Sequence, residues 1–447
     1  MHDTVSSVRD PESTQAWLVG SGIASLAAAV HLIRDARLPG RNIHILDRHA
    51  ETGGGITSAG NAENGYILYP GSLPYFHDEC VDNLLSLVPS ASGSDKSLLD
   101  TIRDFQLSET PPPGSIAKTR FLRNKGGKCE RSEANHLSIG PYNRLQLMKV
   151  LLEGESLLGR YRIQDFFGDE FFGTDFWALW STTAIEFQRC LRKHLPDIHS
   201  LNNVSTLDRT RYSLYESIIL PISTYLRSEG VNFHFNAKVV DMRMTLDDNL
   251  KGDPTTVTEI VLREHEEERI VNVDPNDLTI VTIGSPNSGY QLGTNSDPPP
   301  YPSDPDDFTY GDWSLWFHLA QKATKFGVPL NFNSHTPEST LVTFTVTLHD
   351  SEFMLLYQVL TNDMPGSTTS ALLPRVHKNR PEVIPPNTTN IALVGQFTEI
   401  PRDTTYNMEY SVRGAQTAVY ALMGLPKSPP RTKRSLLLDV FDLLAEG

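Results

Sequence analysis

The chain has 447 residues and a formal net charge of −15, and 39% of its residues are apolar while 21% are charged. These fractions are ordinary for globular proteins and exclude a collagenous or disordered chain. The acidity argues against nucleic-acid binding, which needs a basic stripe, and the length suggests two or three structural units.

The first predicted elements form a compact unit near the N-terminus. A short apolar strand at Ala16–Val19 leads into the turn Gly20-Ser21-Gly22 and then into a predicted helix, rich in Ala and Leu, over residues 23–36. A second strand, Ile43–Leu46, ends at Asp47. Strand, glycine turn, helix and strand together predict a βαβ unit.

The rest of the chain alternates between predicted helices, strands and connections. Residues 51–71, rich in Gly, Asn and Ser, are predicted to be a long loop, and residues 90–115 a polar surface connection. Helical periodicity predicts helices over residues 80–88, 145–158, 183–195, 213–227 and 411–423. Strands are predicted over residues 231–242, 257–261, 269–273, 278–283, 339–348 and 391–394.

The first glycine turn has the features of a dinucleotide site. Its first glycine permits the tight turn, Gly22 lets the backbone approach a pyrophosphate, and the following helix N-terminus favours negative charge. Ser25 stands where the fingerprint has Gly or Ala, and Asp47 is placed to accept hydrogen bonds from ribose hydroxyls. A tight strand-to-helix turn without a ligand is the alternative. Two later buried strands, ending at Gly284 and Gly395, favour an FAD domain assembled from distant segments.

We therefore predict an α/β protein with a discontinuous Rossmann-like FAD-binding domain (residues 15–80, 205–290 and 385–425) and an inserted α+β substrate or cap region (81–204 and 291–384). Residues 426–447 are predicted to be a helical tail. A helix that begins near Ser411 is expected to point its N-terminus at the flavin pyrimidine edge. The predicted cofactor-binding residues are Gly20, Ser21, Gly22, Ile23, Ala24, Asp47, Gly54, Gly55, Gly71, Val240, Thr282, Gly284, Gly395 and Ser411.

Several collinear motifs resemble the oleate hydratase family, also called myosin-cross-reactive antigen. They are residues 19–29 (VGSGIASLAAA), 53–55 (GGG), 77–80 (HDEC), 176–180 (FWALW), 215–221 (YESIILP), 395–401 (GQFTEIP) and 409–413 (EYSVR). The resemblance implies an FAD-containing enzyme, usually a homodimer, that adds water across a cis double bond of a free unsaturated fatty acid. It also implies that the acid is taken from or near membranes, and that FAD organises the site without net redox change.

The resemblance breaks at the two positions that it implies to be catalytic. Leu73 aligns with the glutamate that would orient the attacking water, and Cys190 aligns with the tyrosine that would protonate the alkene. A thiol is a weak proton donor for so unreactive a double bond. Two stretches are also shorter than in the family, one after Trp180 and one between Gly366 and Leu373.

Other residues are candidates to replace the lost acid and base. Tyr75 and His77 follow the glycine-rich segment, although His77 and Glu79 are also suited to capping the next helix. Cys190 is either a catalytic thiol or a buried inert one. The aromatic residues between positions 166 and 180 either line an acyl tunnel or form ordinary core.

The sequence thus predicts an FAD-binding, oleate hydratase-like enzyme for an unsaturated fatty acid or a related lipid chain. Two alternatives stay open: a flavin-dependent oxidoreductase or isomerase of a specialised metabolite, and a non-catalytic flavin-binding relative. The expected partners are a lipid-like small molecule, a second copy of the chain and the membrane periphery. Three widely spaced cysteines and a polar N-terminus predict no metal site and a cytoplasmic location.

Overall fold

A parallel five-stranded sheet is the centre of the fold, in the order β12-β11-β1-β2-β7. The computed structural model describes residues 8–56, 58–61, 65–68, 78–90, 95–108, 120–125, 128–133, 140–152, 163–174, 177, 210–247, 249, 252–264, 267–284, 313–333, 378–401, 403–405 and 407–432. The strands are β1 Ala16–Val19, β2 Ile43–Leu46, β3 Ser58–Asn61, β4 Gly65–Leu68, β5 Arg120–Lys125, β6 Lys128–Glu133, β7 Asn232–His234, β8 Ala237–Asp247, β9 Asp253–Glu264, β10 Glu267–Asn272, β11 Leu278–Thr282 and β12 Ile391–Val394.

The helices are distributed along the whole described chain. They are α1 Ile23–Arg34, α2 Glu79–Leu87, α3 Leu98–Ser108, α4 Pro141–Leu152, α5 Asp169–Phe172, α6 Leu220–Ser228, α7 Ser314–Lys322, α8 Leu330–Asn333 and α9 Met408–Leu422. A π-helical turn, Tyr215–Ile219, runs directly into α6. Within the described ranges, no helix has the length and apolar character needed to cross a bilayer.

The central sheet joins strands that are far apart in sequence. Leu18 of β1 pairs in parallel with Ile45 of β2 on one side and with Ile280 of β11 on the other. Strands β11 and β12 are buried along almost their whole length because both of their faces are covered. The predicted α/β class with a Rossmann-like sheet is confirmed, and the predicted domain boundaries stay predictions.

One face of the sheet is covered by helices. Residues 23–32 of α1 are all buried, because α1 lies between the sheet and other helices and has no solvent face. The alanines of α1 belong to the same core as Ala415 and Ala418 of α9, and α2 and α6 also contact α1. Small side chains let these helices pack closely against α1. This packing holds α1 in place next to the glycine turn from which it begins.

The other face packs against an antiparallel sheet of β8, β9 and β10 and against α7. An aromatic cluster fills this layer: the ring of Trp313 lies 5.5 Å from that of Trp316 and 4.7 Å from that of Phe397. Phe332 lies 5.6 Å from Trp316. This cluster reaches the strand ends at which the glycine turns occur.

Several element predictions were wrong. The predicted loop at residues 51–71 contains the β3–β4 hairpin, and the predicted connection at 90–115 contains α3, whose apolar stripe is only Leu98, Leu99 and Ile102. The predicted strand 231–242 is two strands in different sheets, since the chain turns at Asn236, whose φ is 56°. The β5–β6 hairpin was not predicted, because its strands are mostly charged.

Helix ends also differ from the predictions. The C-terminal helix begins at Met408 rather than near Ser411, and residues 426–432, the described part of the predicted helical tail, are not helical. The helix predicted over 145–158 is observed as α4, which begins earlier, at Pro141, and residues 153–158 lie outside the described residues. The predicted helix 183–195 and strand 339–348 lie outside the described residues.

Candidate cofactor site

The first glycine turn closes tightly against the neighbouring strand ends. Gly20 has a φ of 94° and donates its N–H to the Leu46 carbonyl at 2.8 Å. A Cβ on Gly20 would lie 3.3 Å from the Cβ of Thr282, at the end of β11. Glycine is therefore required here both for its backbone angle and for its lack of a side chain.

The second glycine segment lies directly against the first. Gly53 donates its N–H to the Ser21 carbonyl at 3.0 Å and forms a parallel bridge with Gly22. Gly54 has a φ of 55°, and a Cβ on it would lie 3.0 Å from the Cα of Gly22. The structure thus brings together two segments that the sequence predicted separately, with Gly55 next in the chain.

The N-terminus of α1 opens beside this glycine pair. Gly22 is its N-cap and has no side chain to cap with, and the first turn holds no acidic residue. The first helical bond runs from the Leu26 N–H to the Gly22 carbonyl at 3.0 Å. The N–H groups of Ile23 and Ala24 precede that bond, where helix geometry offers no carbonyl partner. An uncapped helix start within a backbone cradle fits the pyrophosphate of a dinucleotide.

Asp47 holds the glycine turn from the end of β2. Its Oδ2 accepts hydrogen bonds from the N–H and the hydroxyl of Ser21, both at 2.6 Å, and its Oδ1 accepts from the His49 N–H at 2.8 Å. The sequence predicts that this buried carboxylate accepts hydrogen bonds from ribose hydroxyls. Its contacts to Ser21 were not predicted. A serine between the two glycines, opposite an acid that closes the next parallel strand, was the available signal.

The ends of β1, β11 and β12 meet at one point. The Ser25 hydroxyl lies 3.0 Å from the Thr282 hydroxyl, so the serine that replaces the third fingerprint glycine is satisfied within the fold. Gly395 has a φ of 103°, and its Cβ would lie 3.1 Å from the Thr282 methyl. Gly20, Thr282 and Gly395 were all predicted cofactor residues, and the structure places them side by side.

Gly284 has a packing role at the same edge of the sheet. Its φ is 61°, and a Cβ would lie 2.9 Å from Phe397 and 3.0 Å from Trp313. The Trp313 indole N–H is buried and has no hydrogen-bond partner among the described residues.

Two other predicted cofactor residues already have partners in the protein. Val240 lies where the β8–β9 register shifts, and its carbonyl accepts a hydrogen bond from His318 Nδ1 at 2.6 Å. The Ser411 hydroxyl accepts from Gln396 Nε2 at 2.7 Å, inside the first turn of α9. The start of α9 is capped by Asn407, whose Oδ1 accepts from the Tyr410 N–H at 2.8 Å.

The start of α2 is capped from a distant helix. Its N-cap residue, Asp78, forms no side-chain capping bond, and Glu409 of α9 instead accepts the N–H groups of Cys80 and Val81, both at 3.0 Å. Glu79 is the first residue of α2, and His77, the other residue considered for capping, lies outside the described residues. The role of Glu409 was not predicted. Burial, followed by the nearby Glu409 charge, raises the pKa of the Cys80 thiol well above its usual range.

The remaining predicted site residues are Gly71, Leu73, Tyr75, His77 and Cys190, and they lie outside the described residues. Their roles stay predictions. In the part of the chain that the structure describes, no group of three or more His, Cys, Asp or Glu side chains could hold a metal ion.

Comparison with known protein families shows which family the chain belongs to. The model of the MCRA family matches residues 13–369 and 363–420. The chain belongs to the MCRA family. This membership confirms the resemblance found in the sequence motifs. The two matched parts of the MCRA model meet at residues 363–369, beside the predicted missing stretch between Gly366 and Leu373.

Two MCRA-like relatives are hydratases. The chain is 25% identical to the oleate hydratase of Streptococcus pyogenes serotype M49 (strain NZ131), over 99% of this chain and 91% of that enzyme. It is 27% identical to the linoleate hydratase of Lactiplantibacillus plantarum, over 80% of this chain and 66% of that enzyme. The 553 positions aligned with the streptococcal enzyme exceed the 447 residues of this MCRA member, so that enzyme carries stretches that are missing here.

Solved structures resemble the chain only distantly. An oxidoreductase from Methanosarcina mazei matches 90% of this chain and 99% of its own, at 11% identity and a TM-score of 0.45. A CLA-producing fatty acid isomerase from P. acnes matches 62% of this chain and 59% of its own, at 16% identity and a TM-score of 0.32. Likeness at this level carries no conclusion about the chemistry of this MCRA member.

Proposed function

We propose that this MCRA member binds FAD and adds water across a carbon–carbon double bond of an unsaturated fatty acid or a related lipid chain. The observation that carries the proposal is the contact between Gly22 and the Gly53–Gly54 segment at the uncapped start of α1. Relatives named oleate hydratase and linoleate hydratase supply the reaction class.

The proposed cofactor contacts follow from the strand ends. The first-turn amides of α1 would hold the pyrophosphate, while Gly20, Gly22 and Gly54 let the surrounding backbone segments approach closely enough to form the cradle. Asp47 would keep the turn in this shape through Ser21. In this reaction FAD supplies no net electrons and organises the site.

Hydration of an isolated alkene needs a proton donor on one side of the double bond and a water-orienting base on the other. We assign these roles to the segment between the β3–β4 hairpin and α2, with Tyr75 and His77 as candidates, and to Cys190. Leu73 cannot act as a base, so the chemistry must differ in detail from that implied for the longer family members.

A flavin spectrum and a product assay test the proposal. We expect the purified protein to show bound flavin absorbance and, with reduced FAD and oleate or linoleate, to yield a hydroxy fatty acid detected by mass spectrometry. The variant Gly22→Val should lose both. A protein that retains flavin but gives no hydroxylated product from a panel of unsaturated acids would overturn the hydration proposal.

A flavin redox reaction or isomerisation of a specialised metabolite is the second candidate. The replacement of the implied glutamate and tyrosine by Leu73 and Cys190 favours it, because Leu73 cannot act as a base and a thiol is a weak proton donor for an alkene. It predicts stoichiometric bleaching of the flavin by substrate without oxygen and recovery in air. Hydration predicts a flavin spectrum that is unchanged after turnover.

We also propose a peripheral contact with anionic membranes through α4. This helix has no acidic residue and carries Arg144 and Lys149. Tyr142, Leu145 and Met148 are 65%, 71% and 45% exposed. Exposed apolar side chains beside cations suit the headgroup boundary, and they contrast with the net charge of −15 of the whole chain. A homodimer and a cytoplasmic location complete the proposal, and sedimentation analysis tests the dimer.

A further inference from the structure

The start of α2 depends on a side chain from the far end of the chain. Glu409 Oε2 accepts hydrogen bonds from the N–H groups of Cys80 and Val81, which are 329 and 328 positions away in sequence. These amides belong to the first turn of α2, where no helical carbonyl is available to them. A carboxylate at this place also interacts favourably with the positive end of the helix dipole.

The Glu409 carboxylate is itself held on its other side. Arg413 Nη2 lies 2.6 Å from Glu409 Oε1, and Arg413 Nε lies 2.8 Å from Asp403 Oδ2. None of these three side chains is more than 8% exposed. Arg413 also donates to the Pro430 carbonyl. The carboxylate therefore has one well-defined position, set by charge and by hydrogen bonds on both sides.

The same unit includes the loop that follows β12. Gln396 Nε2 donates to the Asn407 carbonyl at 2.8 Å, and the Tyr410 hydroxyl donates to the Thr398 carbonyl at 2.6 Å. The loop that begins at the cofactor-edge residue Gly395 is thus tied to the first turn of α9. Glu409 extends this unit to α2.

We infer that Glu409 is a positioning residue, which fixes the first turn of α2 against the loop between β12 and α9. This inference rests on the proposed function, because residues 69–77, which precede α2, hold Leu73, Tyr75 and His77. A well-packed apolar cluster often replaces a buried ion pair without loss of stability. What such a cluster does not supply is an acceptor for two helix amides at one defined place.

Hydrogen exchange and an oleate titration of the FAD-loaded protein test the inference on the variant Glu409→Gln. We expect the amides of Cys80 and Val81 to exchange about tenfold faster, since a charge-assisted cap is lost. The oleate concentration that half-saturates the flavin spectral change should rise about tenfold, while FAD affinity changes by less than about threefold.

Asp277→Asn is the matched control. Asp277 is also a buried carboxylate that accepts two backbone N–H bonds, from Gln15 at 2.9 Å and Asp274 at 3.0 Å, but it precedes β11 at the opposite end of the sheet. It should lower the melting temperature without changing exchange at α2 or the oleate response. If Glu409→Gln behaves in the same way, Glu409 is merely structural and the inference fails.

An apolar triple variant covers the case in which Glu409→Gln does not fold. Glu409→Leu, Arg413→Met and Asp403→Leu together should recover stability but keep the fast exchange at Cys80 and Val81. Recovery of slow exchange in this variant would overturn the inference. If the unaltered protein gives no hydroxylated product from any unsaturated acid of the panel, the proposed function fails, while the exchange result still decides the capping role of Glu409.

Discussion

Glycines at the cofactor edge are required for two reasons: their positive φ, and the lack of space for a Cβ. Gly54 meets both conditions, and a comparison with Gly252 separates the two effects. We expect Gly54→Ala to lose about 1 kcal/mol of stability from its positive φ and to bind FAD about tenfold more weakly or worse. The second effect arises because the new Cβ would lie 3.0 Å from the Cα of Gly22. A flavin fluorescence titration measures the affinity.

Gly252→Ala is the control for the backbone requirement. Gly252 has a φ of 75°, and a Cβ on it would meet nothing within 4 Å. It should show the same loss of stability with unchanged FAD affinity. Equal FAD affinities in the two variants would contradict the role assigned to the glycine pair.

The hydrogen bonds between Asp47 and Ser21 predict that substitutions of these two residues have non-additive effects on FAD affinity. Hydrogen bonds to a charged group contribute about 1.5–3 kcal/mol, so Asp47→Asn should weaken FAD binding about tenfold or more by loosening the turn. Ser21→Ala alone should weaken FAD binding, but it should weaken it little further in the Asp47→Asn background. A double-mutant cycle measures this pattern. Additive effects would show that Asp47 acts on the ligand and not through Ser21.

At the residue scale, the sequence was sufficient for the glycines and insufficient for their partners. Gly20 and Gly22 were predictable because few residues other than glycine suit a turn that approaches a phosphate. The capping of α2 by Glu409 was not, because the two meet only after the sheet and the helices have packed. The glutamate and arginine spaced i, i+4 in a largely buried helix could have indicated a buried charge pair.

At the scale of elements, mostly apolar strands were predicted well and elements within polar segments poorly. β11 and β12 are short but mostly apolar, and both were predicted from the sequence. The β3–β4 hairpin lies in a segment rich in Gly, Asn and Ser, and α3 buries only Leu98, Leu99 and Ile102, so both segments were predicted to be connections. The split between β7 and β8 depends on one turn at Asn236, which an alternating pattern alone does not reveal.

The face formed by β1, β2 and β7 gives the fold a pH dependence. His44 of β2 stacks on Trp17 at 4.2 Å, and its Nδ1 lies 3.3 Å from Nε2 of His234 in β7. Burial, and secondarily the neighbouring His234, lowers the pKa of His44 from 6.5 to about 4. Burial, with a smaller contribution from Arg269, also lowers the pKa of His234.

Because the folded state resists protonation of His44, its contribution to stability is complete above pH 6.5 and is lost as the pH falls toward 4. The loss from His44 is about 1–2 kcal/mol at pH 5, because the ring is partly exposed and solvent screens part of the cost of charging it. Urea unfolding at pH 7 and pH 5 should show it, and His44→Phe, which keeps the stacking on Trp17, should lessen the difference. The same pH dependence in both proteins would contradict this account.

At the scale of the whole molecule, family membership was predictable because its motifs are spread over most of the chain. The catalytic residues were not, since the divergence is concentrated at Leu73 and Cys190. The charge of the chain is uneven: the β5–β6 hairpin has five basic and two acidic residues, although the chain has a net charge of −15. The hairpin is followed in sequence by α4, which carries Arg144 and Lys149 and no acidic residue.

The proposed membrane contact predicts binding to anionic vesicles. We expect co-sedimentation with phosphatidylglycerol vesicles at low salt, weak binding to phosphatidylcholine, and about tenfold weaker binding after Leu145→Glu. Leu107→Glu is the matched control. Leu107 is 82% exposed on α3, so this substitution adds the same charge to a different helix. An equal loss in both variants would point to general repulsion and refute docking through α4.

The strand order has a consequence for synthesis. β1 lies in the middle of the sheet, yet its neighbour β11 and the next strand, β12, are made last. At about 5–20 residues per second, tens of seconds pass between emergence of the first and the last strand. Throughout that time α1 lacks α9, the helix that covers it. The nascent chain therefore displays an alanine- and leucine-rich segment to chaperones, and the junction of Gly20, Thr282 and Gly395 can form only after β11 and β12 have emerged.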